Sequence, residues 1–168
     1  MPAPLIPTDE TQEPLEALPV LAWWVRAGLL VMAAGLVAVF TIAVLLNPYN
    51  PDGTPRTMET HRTWPLNLPP CTFKTLTGLP CPSCGMTTSF SLLMHGDVVN
   101  SLRANCVGTV LALFWLALIP WGLVSAWRGR PLFMVAIEPV LLRVLIAFLV
   151  VLFTRWAVVL ALIWWAHH

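Results

Sequence analysis

The chain has 168 residues, 58% of them hydrophobic and 10% charged, with a mean hydropathy of +0.78. A soluble domain carries about a quarter charged residues, so this balance places the chain in a membrane and leaves no room for a large aqueous catalytic domain. Nine Lys/Arg against eight Asp/Glu give a net charge of +1; with no basic stripe to displace counterions, nucleic acid is excluded as a partner.

Residues 1–21 read as a disordered, Pro-rich acidic tail. Pro2, Pro4, Pro7, Pro14 and Pro19 interrupt any helix, and Asp9, Glu10, Glu13 and Glu16 keep the segment solvated. Without a basic start, a cleaved signal peptide is not expected. The remainder, residues 22–168, reads as one membrane domain.

Ala27 to Leu46 is an uncharged run of twenty residues, and at about 1.5 Å per residue it covers the roughly 30 Å of bilayer hydrocarbon. It forms the first predicted transmembrane helix, with Trp23, Trp24 and Arg26 at one end and the breaker Asn47-Pro48-Tyr49-Asn50-Pro51 at the other. A cysteine-bearing loop with a short amphipathic helix follows over residues 47–105. Val107 to Ala126 is a second uncharged run, softened by Gly108, Pro120 and Gly122 and closed by the basic turn at Arg128 and Arg130. A third helix is expected over about 139–166, tilted, with Arg155 near its centre and Leu132 to Ala136 lying at the interface. Arg155 is read as snorkelling to the headgroups, since Glu138 is too distant to pair with it within one helix. Trp164 and Trp165 read as an interfacial belt. The fold class is therefore an all-α integral membrane protein, with about three transmembrane helices plus a short amphipathic helix after a Cys-Pro-x-Cys loop. Arg26, Arg128 and Arg130 flank the spans on one side, which predicts a cytoplasmic N-terminus and an external cysteine loop.

Cys71, Cys81 and Cys84 fall within fifteen residues. Paired cysteines two residues apart can wrap one tetrahedral metal, zinc being the natural candidate, with Cys71 returning across the turn at Gly78 as a third ligand. Cys106 is the weaker choice for a fourth. His95 stands eleven residues beyond Cys84, about 16 Å along a straight helix, and reads as a polar interfacial side chain. The same pair could instead cycle between dithiol and disulfide: Pro82 suits a first helical position, which puts Cys81 at an N-cap where the helix dipole favours a thiolate. A static disulfide, or cysteines packed as small hydrophobes, are the plain alternatives. A helix from Pro82 to His95 places Met86, Phe90, Leu93 and Met94 on one face and Cys84, Thr88, Ser91 and His95 on the other, so it should lie along the membrane surface or against the spans.

These residues resemble a bacterial family of small membrane proteins, domain of unknown function 2752, whose signature is a Cys, a Thr-Gly and then Cys-Pro-x-Cys-Gly-x-Thr-Arg. In this chain the pattern reads Cys71, Thr77-Gly78 and Cys81-Pro82-Ser83-Cys84-Gly85-Met86-Thr87-Thr88, and it continues through His95-Gly96-Asp97 and Asn105. The resemblance implies a location in the bacterial inner membrane, several helices and a role for Cys71, Cys81 and Cys84, with no activity attached. Thr88 replaces the family's Arg, and Cys106 stands where a Pro commonly follows Asn105.

The favoured expectation is a non-enzymatic membrane module, held by the lipid bilayer, whose cysteine knuckle, a structural metal or a disulfide, organises the loop for contact with another membrane protein. A membrane thiol-disulfide oxidoreductase using Cys81 and Cys84 is the alternative, and an oligomeric transporter component is the second alternative.

Overall fold

The computed structural model describes residues 21–130 and 137–167. The acidic tail up to residue 20 and the expected interfacial stretch Leu132 to Ala136 lie outside the described residues. Five α-helices follow in order: α1 (Trp23–Leu45), α2 (Thr72–Thr77), α3 (Met86–Met94), α4 (Val98–Arg128) and α5 (Ile137–His167), with a 3-10 turn at Thr60–Arg62 before α2. Among the described residues there is no strand; the extended backbone pairs only at a bridge between Tyr49 and Pro55. Three stretches, Trp23–Leu45, Val98–Arg128 and Leu142–Ala166, are long and apolar enough to cross a membrane, with mean hydropathies of 2.6, 2.1 and 2.5 over the most apolar eighteen residues of each. The protein is integral to a membrane.

α1 has no side-chain cap, no acidic residue in its first turn and no basic residue in its last. Its stability comes from an apolar surround in which every backbone amide must bond within the helix. α4 is capped by Asp97, whose carboxylate accepts from the Asn100 amide at 3.2 Å. It begins nine residues ahead of the predicted apolar run and breaks its helical path at Asn105, where φ is −159° and ψ is 99°. Asn105 Oδ1 accepts from the Gly108 amide at 3.1 Å, so this residue acts as an N-cap inside α4, restarting the helix that continues into the apolar run. The sequence reading missed the short polar turn before it because hydropathy marks spans, not their helical extensions.

α3 is wedged between α1 and α4. Phe90 stacks on Phe40 of α1 with ring centroids 5.9 Å apart and meets Trp115 of α4 edge-on at 5.6 Å. Ala43 and Ala112 complete this core, and Met86, Leu93 and Met94 pack around it. The apolar face expected for the amphipathic helix is thus the one it buries. Its polar face is buried as well: Thr88, Ser89 and Ser91 are all fully covered. That is tolerable because each hydroxyl is paired, Ser91 donating to the Leu46 carbonyl at 2.9 Å and Ser89 to the Met86 carbonyl at 2.8 Å. α3 crosses α4 at Gly108, where an added Cβ would collide with Ser89 Oγ and sit 3.2 Å from Met86 Cγ.

At the end of the bundle away from the cysteines, the Leu21 amide donates to the Gly129 carbonyl at 2.7 Å and Arg26 Nε to the Ala126 carbonyl at 2.8 Å. Arg26, Arg128 and Arg130 therefore share one end. α5 packs loosely on the bundle, and none of the apolar window of Leu142–Ala166 is buried.

Candidate functional site

The site lies at the other end of the bundle, in the loop joining α1 to α4. Cys71 is the residue just before α2, and Gly78 closes that helix in the left-handed conformation at φ 71°, its amide donating to the Lys74 carbonyl at 2.9 Å. This one-and-a-half-turn helix carries Cys71 back toward the pair at 81 and 84, as the turn at Gly78 led one to expect.

Cys81 to Gly85 form tight turns, with the Cys84 amide donating to the Cys81 carbonyl and the Met86 amide to the Ser83 carbonyl, both at 3.1 Å. α3 therefore starts at Met86, four residues later than the sequence suggested, and Cys81 is not a helix cap. The reason is Gly85, whose φ of 84° ends the turns and admits no L side chain without strain. A Cβ there would also lie 2.7 Å from the Ala104 carbonyl oxygen and 3.1 Å from that of Thr57.

The outcome is a cluster of three thiols. The sulfurs of Cys71, Cys81 and Cys84 all lie within 4.8 Å of one another, and those of Cys81 and Cys84 are 3.1 Å apart. Two thiolates on one tetrahedral zinc, each at 2.3 Å, stand about 3.8 Å apart, and a disulfide holds its sulfurs at about 2.05 Å. The pair sits between these two separations. Burial pushes the Cys81 thiol up, but hydrogen bonds from Ser83, Cys84 and Cys71 outweigh it and hold the group below its ordinary value. Cys84 goes the other way: burial, and then its hydrogen bond with Cys81, push it up to about 12.

The thiols open onto a cavity of about 160 Å³ that is also lined by Met58, Glu59 and His61. Glu59 is occupied by Lys74 at 2.8 Å and Arg62 at 3.1 Å, and these two cations hold its carboxyl below the usual range. The 3-10 turn that bears His61 is fastened to α3 by the buried Thr60 and Thr88 hydroxyls, 2.9 Å apart. Thr88, the residue that replaces the expected Arg, is thus a structural anchor in this chain.

A second, smaller cavity of about 60 Å³ adjoins Cys81 and Cys84 and brings in Arg155 and Trp156 of α5. Arg155 donates to the Ala104 carbonyl at 3.1 Å, and the Trp156 indole N–H to the Pro80 carbonyl at 2.8 Å. The guanidinium is therefore level with the cysteine loop. Asn105 Nδ2 closes the site from below by donating to the Cys84 carbonyl at 3.1 Å.

Residues 71–119 match the family model described as a protein of unknown function, DUF2752. The DUF2752 match spans the three cysteines, α2, α3 and the first part of α4, so it coincides with the segment that builds the thiol cluster and its supports. No curated protein and no solved structure matches the chain.

Cys106 is exposed and stands apart from the cluster at the restart of α4. His95 is also apart, with Nδ1 against the Ser91 carbonyl at 2.8 Å and its ring edge-on to Tyr49. Neither joins the three thiols. His61, Arg155 and Trp156 were not picked out as site residues from the sequence, because no fixed spacing links them to the cysteines; only the polarity of Arg155 within an apolar run singled it out.

Proposed function

We propose that this protein is a non-enzymatic membrane module in which one structural metal, zinc by the chemistry of the donors, ties Cys71, Cys81 and Cys84 together and so fixes the loop for contact with another membrane protein. The observation that carries this reading is the mutual approach of three sulfurs within 4.8 Å. A single disulfide would use two and strand the third, whereas a soft, borderline cation uses all three. The supports fit a scaffold: Asn105, Gly85, Trp156 and Arg155 all hold backbone around the cysteines. The orientation that goes with it, from the three arginines at one end, has the N-terminus in the cytoplasm and the knuckle outside.

The test is metal content and thiol count on the full chain purified in mild detergent, with and without reductant. One metal per chain with no disulfide supports the reading. A metal-free protein with an intrachain disulfide would overturn it.

The opposite displacements of the Cys81 and Cys84 thiols favour a second reading, a thiol-disulfide oxidoreductase. The Cys81 thiolate attacks a partner disulfide, forming a mixed disulfide and releasing one partner thiol. Cys84, losing its proton, then attacks Cys81 Sγ, releasing the second partner thiol and leaving Cys81 and Cys84 oxidised by two electrons. Cys84→Ser trapping a mixed disulfide through Cys81 is the result that would favour it over the metal.

A further inference from the structure

Zinc in a structural site takes four protein ligands, and the cysteines supply three. Among the described residues, the donors near them can be taken in turn. Glu59 lines the cavity but is held by Lys74 and Arg62. Cys106 and His95 lie elsewhere, and Asp97 is spent on Asn100 through both carboxylate oxygens, at 3.0 and 2.8 Å. His61 alone of the imidazoles and carboxylates lines the cavity without such a commitment on its side chain.

We propose that His61 is the fourth ligand, completing a closed Cys3His zinc site with Cys71, Cys81 and Cys84; the proposal rests on the metal reading given above. The His61 ring stands outside the group of three sulfurs, so ligation requires the imidazole to swing across the 160 Å³ cavity. Its backbone is held in place. The 3-10 turn Thr60–Arg62 is pinned on α3 by the Thr60 and Thr88 hydroxyls, and the His61 carbonyl accepts from the Leu68 amide at 3.0 Å. This is how a rigid element presents a ligand whose own side chain moves.

The charges support the same assignment. Zinc uptake releases the three thiol protons, and a dication on three thiolates and a neutral imidazole leaves one net negative charge. A fourth thiolate or carboxylate would leave two. Arg155, in the cavity adjoining Cys81 and Cys84, supplies one positive charge, and Lys74 is already paired.

The experiment loads the full chain in detergent with Zn²⁺, and separately with Co²⁺, whose absorption bands report the donor set. Chelator competition should show that His61→Ala weakens zinc about tenfold or more, and the cobalt bands should change. His61→Cys should recover tight binding with a spectrum shifted toward four sulfurs, which shows that the position ligates and guards against a variant that merely unfolds. If His61→Ala binds zinc as tightly as the wild type with an unchanged cobalt spectrum, His61 is not a ligand although the metal reading survives. If the wild type takes up neither metal, the metal reading has failed and this inference with it.

Discussion

The indole N–H of Trp156, in the third apolar helix, donates to the carbonyl of Pro80, the residue immediately before Cys81, at 2.8 Å. The same ring meets Phe73 of α2 edge-on, with centroids 6.3 Å apart. One side chain thus touches the backbone beside one cysteine and the short helix that follows another.

Trp156→Phe keeps an aromatic ring but removes the donor, leaving the Pro80 carbonyl without its partner at a cost of about 1 kcal/mol. Cys81 should then react faster with a thiol-alkylating reagent, while the amount of protein in the membrane is unchanged. An unaltered alkylation rate would mean that α5 does not hold the loop.

Gly85→Ala combines a left-handed backbone with a collision against Ala104, and should cost more than about 2 kcal/mol. Increased proteolytic clipping between Pro69 and Asp97 is the expected readout. Gly96 has a similar φ of 81° but open space around it, so Gly96→Ala should do less damage, and equal clipping in the two variants would contradict the role given to the Ala104 contact.

Glu59 gives the loop a dependence on acid. Because Lys74 and Arg62 lower its pKa in the folded state, its contribution is full above the ordinary carboxylate value and is lost as pH falls through the folded value. The thermal midpoint of the detergent-solubilised protein should drop across that acidic window, and Glu59→Gln should flatten the drop while lowering the midpoint at neutral pH. A wild-type midpoint that does not change there would refute the pairing.

Topology offers a further check. A reporter active only in the cytoplasm should work when fused after Arg130 and fail when fused near Arg62. The reverse pattern would invert the orientation and leave the helices as they are.

The first two spans were legible because uncharged runs of twenty residues have few alternatives in a protein this apolar, and the third because its length outweighs the charge of Arg155. The approach of Cys71 to the pair was legible too, since the short helix between them closes at Gly78. What the sequence hid were partners far apart along the chain. The Arg155 guanidinium bonds a carbonyl 51 residues away, and the Trp156 indole one 76 residues away. Likewise, Thr88 read only as one residue of the polar face of an amphipathic helix, whereas a hydroxyl of Thr60, 28 residues earlier, lets it be fully buried. The helix start was misjudged because Pro82 suits a first helical position, and the positive φ of Gly85 overrides that local preference.

Two polar ties of α5, from Arg155 and Trp156, run to Ala104 and Pro80 at the cysteine end. During synthesis the loop emerges well before α5 does, so the last helix arrives at a surface already made by the segment that carries the cysteines. Whether that surface has matured would then determine if α5 settles against its neighbours or drifts free in the lipid. Seating of the third span is in this way coupled to the shape of the cysteine end.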